Sequence, residues 1–599
     1  MTDASVVRLD RVGTVMVLVL THPPVNALSS AVRQGLSEGL AQALADPDVT
    51  AIIIRGEGKG FSAGADIAEF GKVSPVGRLG DLCLQIEAAT KPVIAAIHGT
   101  ALGGGLEIAL ASHYRIANAA AFVGLPEVNL GLLPGAGGTQ RLPRLIGAAE
   151  ALRLMLDGAP VRAAEAMALG MIDRVVEAGL PEAALAMAAE GLTPRRTCDM
   201  RRGLKDMAGY QAAVTAARAA HRGTRLPAPA RIIDCVEAAA LLPIRQGLYM
   251  EEAAFADLVA TPEAAGLRYA FFTERRAALP PQAVAARGIT QVGTLGIWGV
   301  DDMAADLAFQ ALTSGMRVVW AAEDRAALIA ALERTAGRQE QAVVAGLMTE
   351  DTRDADWARL VTSLTPETLA GVEVLLTTSD AAALPDSLAG IAQAAMGAVQ
   401  HGGGPKVAIT VPYAAGGMAE LSMARTAPVG AVAVLVALAR RMNWRVVYAG
   451  PGGPIELNLR QALAAAVAYL HAAGVSPDLV TAALASYGIG TGPLSVLPPM
   501  PAGGETVVAA CLLAMAAEGA RMLQEGRARR PLDIDAVALM TGLMPRWSGG
   551  PMFQADLHGL LVMRKQMLDL AEEAAVFLPA ELIDDLLAEG QNFASLNAR

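Results

Sequence analysis

The chain has 599 residues, a length past which a single hydrophobic core stops growing, so several packed domains are expected. A formal net charge of −11 leaves no concentrated basic surface for a phosphate backbone, which excludes a nucleic-acid partner. The hydrophobic fraction is 53%, but alanine supplies much of it and no uninterrupted apolar run approaches the roughly 18 residues of a membrane span, so no membrane insertion is expected.

The opening residues mix charge and polarity early, without the apolar stretch of a secretory signal. From Val6 to about Val176, short β-branched runs alternate with alanine-rich helical stretches. Val15–Leu20, 51–55 and Val93–Ile97 predict buried strands, each followed by a glycine-containing turn and a helix. From Leu180 to Ala278 helical periodicity takes over, interrupted by Pro227-Ala228-Pro229. A second α/β unit opens at Thr294-Leu295-Gly296-Ile297-Trp298-Gly299 and meets another strand at 317–320, the pattern of a βαβ nucleotide fold. After Gly450 the chain is again helical, most plainly at 461–473 and 506–525. Both stretches lead to a short linker, a Pro-Asp or Asp-Ile-Asp start and a glycine-rich end, which predicts two related helical units.

The four cysteines, Cys83, Cys198, Cys235 and Cys511, lie far apart with no CxxC and no histidine at ligand spacing. They predict buried free thiols, with no disulfide framework and no metal site. The last residues, Leu596-Asn597-Ala598-Arg599, are not the Ser-Lys-Leu peroxisomal address, so a bacterial cytoplasm is the expected location.

Gly-Glu-Gly-Lys-Gly-Phe-Ser-Ala-Gly-Ala-Asp runs from Gly56 to Asp66 directly after a strand, and its small residues let a ligand approach backbone amides. Ala101-Leu102-Gly103-Gly104-Gly105-Leu106-Glu107 follows the strand Val93–Ile97 and opens a helix, whose free N–H groups and dipole suit a developing anion. Glu127 stands in Gly124-Leu125-Pro126-Glu127, followed by Leu133-Pro134-Gly135-Ala136-Gly137-Gly138-Thr139-Gln140-Arg141. Singly, each glycine cluster is a tight turn and each glutamate a helix-dipole partner. In this order and spacing they resemble the crotonase family of acyl-CoA enzymes, most closely its enoyl-CoA hydratases, over roughly Val6 to Gly179, including His22-Pro23-Pro24-Val25-Asn26-Ala27-Leu28.

The resemblance implies that the N–H groups of Ala65 and Gly104 form an oxyanion hole around the thioester carbonyl, and that Ala63, Ala65, Asp66, Ile67 and Ala68 hold coenzyme A. Water addition at C3 makes the thioester an enolate in the transition state, and losing one fixed donor costs about 3–4 kcal/mol in a comparable system. Hydration needs one proton taken from water and one given to C2, so two carboxyl groups are the minimal apparatus. By resemblance, Glu107 activates the water and Glu127 delivers the proton. Arg195, Arg196, Arg201, Arg202 and Lys205 are placed on a solvated helix face rather than on coenzyme A phosphates. His98 and His113 are expected to satisfy local hydrogen bonds.

Beyond this region the chain resembles multifunctional enzyme type 1 of β-oxidation, a hydratase fused to a 3-hydroxyacyl-CoA dehydrogenase. Ala264-Ala265-Gly266-Leu267-Arg268-Tyr269-Ala270-Phe271-Phe272-Thr273-Glu274-Arg275 and Pro545-Arg546-Trp547-Ser548-Gly549-Gly550-Pro551-Met552-Phe553 carry that likeness. The dehydrogenase positions are degenerate. A dinucleotide site needs GxGxxG and a ribose-binding acid, but Gly299 is followed by Asp301 and Ala304 at the glycine positions, and Ala322 stands where the acid belongs. Pro412 replaces the catalytic histidine, Thr377 its orienting glutamate, and Pro451 the asparagine of the family's Val-Gly-Asn motif.

The expected architecture is α/β. It comprises a crotonase domain over 1–190, a helical linker over 191–283, a degenerate Rossmann-like domain over 284–449, a shortened helical dehydrogenase C-terminal domain over 450–502 and a second over 503–599. The expected function is reversible hydration of 2-enoyl-CoA by a monomer that needs no cofactor, has lost NAD and works beside a separate dehydrogenase or thiolase. The competing readings are an enoyl-CoA isomerase, in which one carboxylate shuttles a proton between C2 and C4, and a non-catalytic acyl-CoA-binding scaffold.

Overall fold

Val15–Leu20, Ala51–Gly56 and Val93–Ile97 are buried almost without interruption, as strands covered on both faces must be. A computed structural model describes residues 6–71, 76–287, 291–378, 383–396, 407–410, 417–490 and 497–598, and divides the chain into two compact units, Met1–Arg268 and Tyr269–Arg599.

In the first unit those strands are the centre of a six-stranded sheet ordered Val7–Val12, Val15–Leu20, Ala51–Gly56, Val93–Ile97, Tyr114–Asn118, Arg174–Val176. The first pair is antiparallel and the rest are parallel. Successive side chains alternate between the two faces. Leu18, Leu20, Ile52, Ile54, Ala95 and Ile97 join the large core, while Val17, Val19, Ile53, Ile94 and Ala96 meet Leu180, Ala184 and Met187 of the helix Leu180–Ala188. Thr100–Leu102, Phe122–Gly124 and Val161–Arg162 form a separate three-stranded sheet beside the site.

The helices Met207–Ala220, Ala228–Leu241 and Ile244–Val259 do not form a linker. Tyr210, Val214, Ile232, Cys235, Val236, Ala254 and Leu258 are buried in the same core as Leu142 and Leu152. The chain divides at 268/269 instead of at 190/191 and 283/284, with the apolar faces of these helices packed into the core of the first unit. All four cysteines are buried and unpaired.

The second unit carries an eight-stranded sheet ordered Leu360–Ser363, Arg317–Ala321, Thr294–Trp298, Val374–Thr377, Ala392–Met396, Val407–Thr410, Met418–Met423, Arg445–Ala449. Every neighbouring pair is parallel except Val407–Thr410 with Met418–Met423. The chain order reverses at Thr294–Trp298, which puts the topological switch point at Gly299.

The helical remainder differs from the expected pair of domains split at 502/503. Ile455–Ala472 and Gly504–Gln524 are each followed by a proline-started helix, Pro477–Tyr487 and Pro531–Met540, so the repetition is real. All four share one core through Leu459, Ala483, Cys511 and Val537. Gly504–Gln524 is also long and apolar enough by composition to cross a membrane, which the sequence reading did not anticipate. It packs against Ile455–Ala472, Pro477–Tyr487 and Pro551–His558.

A fragment ending at Arg268 is expected to give a cooperative thermal melt by circular dichroism. One ending at 190 leaves the core side of Leu142, Leu152 and Met155 uncovered and is expected to aggregate or melt without a transition; a cooperative melt of the shorter fragment would contradict the boundary.

Candidate active site

The loop after the strand Ala51–Gly56 is fixed by Asn26, which is 2% exposed and donates from Nδ2 to the carbonyls of Glu57 and Gly60, 2.9 Å each. Ser62 Oγ donates to Asn26 O at 2.7 Å and accepts from Gly64 N at 3.1 Å, so the chain enters Ala65 in one set conformation. Glycines permit the approach that follows. Gly64 has φ +102°, and a Cβ there would lie 2.8 Å from Leu102 O. Gly103, at φ 52°, precedes the helix Gly104–Ala111, and a Cβ on Gly104 would lie 3.2 Å from Ala65 N. Ala65 and Gly104 thus present their N–H groups side by side, and neither donates to a protein acceptor among the described residues.

Both N–H groups line a cavity of about 290 Å³. Its wall includes Ala63, Asp66, Ile67, Phe70, Leu79, Phe255, Glu107 and Glu127. Ala68 is not part of this wall: its N–H donates to Asp66 Oδ1 at 3.0 Å and closes a short 3-10 turn. Phe70 and Phe255 meet edge to face, with ring centroids 5.6 Å apart. At the cavity margin Arg33 and Glu69 form an ion pair of 2.9 Å.

Glu107 lies in the first turn of its helix and is 2% exposed. One of its oxygens, Oε1, accepts from Ala136 N at 2.7 Å and Gly138 N at 2.8 Å. Both bonds fall on one oxygen, so the other keeps its lone pairs for a water. Burial raises the Glu107 carboxyl, while the two amides and Arg141 favour its ionised form. Glu127 opens the 3-10 turn Glu127–Leu130, and its Oε2 is buried with no hydrogen-bond partner among the described residues. Burial, reinforced by the Glu107 charge, raises this carboxyl well above the usual range. The two carboxyls of the cavity thus differ in surroundings: amides and Arg141 oppose the upward push on Glu107, while the Glu107 charge adds to that on Glu127.

Glu251, from the helix Ile244–Val259, is a third buried carboxyl that the sequence reading missed. Its Oε1 accepts from Gly137 N at 2.5 Å, and its Oε2 accepts from Thr139 N at 3.0 Å and from Thr139 Oγ1. A signal was present: Glu251 falls on the buried helical stripe Gly247, Glu251, Ala254, Leu258. Arg141 supplies the balancing cation. It pairs with Glu87 at 2.9 Å and donates from Nη1 to Ala136 O at 2.9 Å, tying down the residue whose N–H holds Glu107.

The basic run is not a helix face: short 3-10 turns at Thr197–Asp199 and Arg202–Leu204 replace it. Arg195 pairs with Asp173 at 2.6 Å and stacks over Tyr114, while Arg196 pairs with Asp199 at 3.2 Å. His98 Nε2 meets Gly58 O at 3.1 Å, and His113 Nδ1 accepts from Val93 N at 2.9 Å.

In the second unit the switch point is closed by side chains of its own. Asp301 caps the helix Asp302–Thr313, its Oδ1 accepting from Ala304 N at 2.7 Å, so a carboxylate sits where a pyrophosphate would need N–H groups. Trp320 Nε1 donates to Gly299 O at 2.7 Å, and a Cβ on Gly299 would fall 1.6 Å from Thr378 Oγ1. Ala322, 3% exposed at the end of the second strand, offers no acid. Thr377 ends the strand Val374–Thr377, Pro451 follows Arg445–Ala449 by two positions, and Pro412 lies outside the described residues.

A family model described as enoyl-CoA hydratase/isomerase matches residues 10–216. A peroxisomal bifunctional enzyme of Danio rerio is 43% identical over 47% of this chain and 42% of its own length. A probable enoyl-CoA hydratase of Bacillus subtilis is 49% identical over 29% of this chain and 72% of its own. A peroxisomal fatty acid beta-oxidation multifunctional protein of Arabidopsis thaliana is 33% identical over 60% of this chain and 52% of its own. The chain thus spans only about two fifths to one half of the length of the larger relatives it matches.

Replacing Arg141 by Met would leave Glu87, 3% exposed, buried without its cation, which costs about 3–5 kcal/mol. The urea midpoint of Arg141→Met should fall accordingly, and an additional Glu87→Met should recover most of the loss. An unchanged midpoint in the single variant would contradict the pairing.

Proposed function

The chain belongs to the enoyl-CoA hydratase/isomerase family, and from that premise we propose that it adds water reversibly across the C2–C3 bond of a 2-enoyl-CoA thioester. The observation that carries the reading is the meeting of buried Glu107, half-buried Glu127 with its Oε2 sealed from solvent, and two unspent N–H groups in one cavity.

The thioester oxygen sits between Ala65 N–H and Gly104 N–H, with a water between Glu107 and Glu127. Glu107 takes a proton as the water oxygen bonds to C3. The π electrons move through C2 to the thioester oxygen, where the two fixed donors stabilise the enolate. Glu127 then gives its proton to C2, the carbonyl re-forms, and the proton on Glu107 passes back to Glu127. No step needs a metal, a redox cofactor or a covalent intermediate.

Isomerisation needs one carboxyl to move a proton from C4 to C2, and Glu127 supports it as a secondary activity. Hydration is favoured because Glu107 is held by two amides on one oxygen, an arrangement a single-carboxyl isomerase does not require. A pure scaffold role gives no reason to bury three carboxyls around one loop. The second unit retains its sheet and helices as a scaffold without dehydrogenase chemistry. The product 3-hydroxyacyl-CoA is then oxidised by a separate dehydrogenase.

Glu107→Gln and Glu127→Gln should each lower turnover of a 2-enoyl-CoA by about two or more orders of magnitude, the upper range for a general acid or base, with a smaller change in KM. Near wild-type turnover in either variant would remove that residue from the mechanism. Calorimetry with NADH should give no binding heat, and 3-hydroxyacyl-CoA with NAD should yield no 3-ketoacyl-CoA. Formation of that product by the unmodified protein would overturn the scaffold reading of the second unit.

A further inference from the structure

We infer that Glu251 is a positioning residue for the hydration chemistry: it holds the 134–139 loop that aims Glu107. The inference rests on the hydratase reading above and assigns a third carboxyl to that site.

The geometry comes first. Four successive amides of one loop are shared alternately between two carboxyls. Ala136 N and Gly138 N donate to Glu107, whereas Gly137 N and Thr139 N donate to Glu251. Neither carboxyl can shift without disturbing the peptide planes that hold the other. Gly137 is at φ +101°, and a Cβ there would lie 1.8 Å from Arg141 Nη1, so the loop has little freedom to re-form. The helix that carries Glu251 is itself seated closely. A Cβ on Gly247 would lie 2.0 Å from Gln140 Oε1, and Phe255 packs where a Cβ on Gly135 would fall 2.6 Å from its ring. One helix thus supplies Phe255 to the cavity wall and Glu251 behind the loop.

Electrostatics points the same way. Facing Glu251 are Glu107 on Gly104–Ala111, Thr139 and Arg141 on Gly138–Ile146, Cys235 on Ala228–Leu241, Cys83 on Leu79–Glu87 and Glu127. Burial and then the Glu107 charge push Glu251 up to about 8, drawn back by Thr139, Gly137 and Arg141. Above pH about 8, where Glu251 is ionised, its charge raises Glu127, so on the alkaline side the acid of the pair keeps its proton to higher pH. Removing that charge lets Glu127 ionise at lower pH, and the alkaline limb of kcat must move down, not up.

The test uses the full chain, short-chain 2-enoyl-CoA and kcat–pH profiles of the wild type, Glu251→Gln and Glu251→Asp, with thermal melts to confirm folding. Glutamine keeps an oxygen for Gly137 N–H and an NH₂ that can donate to Thr139 Oγ1, removing the charge at the cost of the acceptor for Thr139 N–H. The expected result is a kcat loss of roughly tenfold with little change in KM, and an alkaline limb shifted to lower pH in Glu251→Gln but not in Glu251→Asp. An unmoved limb with a uniform loss of activity would reduce Glu251 to a structural residue and overturn the inference. Wild-type kcat and profile in Glu251→Gln would overturn it too. A wild-type protein that does not hydrate enoyl-CoA would instead defeat the hydratase reading itself.

Discussion

The site depends on burying several carboxyls together, and the backbone of residues 134–139 is what makes that tolerable. A carboxylate taken out of water without partners loses several kcal/mol of solvation. Here Glu107 and Glu251 each receive two amides of the same loop, and Arg141 fixes that loop from its carbonyl side while pairing with Glu87. Glu127 receives no such donor on its Oε2. That asymmetry gives two carboxyls of the same chemical type different surroundings: the loop amides and Arg141 draw Glu107 back toward its ionised form, whereas the Glu107 charge pushes Glu127 further up.

The adjacency of the Ala65 and Gly104 N–H groups follows from a different constraint, the absence of side chains. Gly64, Gly103 and Gly104 bring two chain segments to a distance that a Cβ would block. In the second unit the equivalent economy is gone. At the switch point of the sheet, the N–H of Ala304 is already spent on Asp301, and the carbonyl of Gly299 is tied to an indole. The sheet order is that of a nucleotide fold, yet its anion-binding end caps itself. A fold needs its apolar strands, and these are buried; at the switch point the N–H of Ala304 is held by a side chain of the same turn.

Much of this was legible in the sequence. The central strands and the glycine clusters are local patterns, and Glu107 and Glu127 sit beside them, so the cavity and its two carboxyls could be placed from spacing and resemblance. The helices between 207 and 259 were read as a linker because periodicity reports an apolar face but not what covers it. Glu251 was missed for the same reason: its partners are more than 110 residues away in the chain. The basic run near 201 was assigned to a helix on charge spacing alone, although its arginines are distributed among separate partners such as Asp173 and Asp199.

The most direct test of the account is the position of the new hydrogen. Incubating a 2-enoyl-CoA with the protein in D₂O and following the product by NMR should show a 3-hydroxyacyl-CoA carrying one deuteron at C2 and none at C4. That pattern requires an acid that delivers to C2 and a water that attacks C3. A 3-enoyl thioester as the main product, or a thioester recovered unchanged, would contradict it.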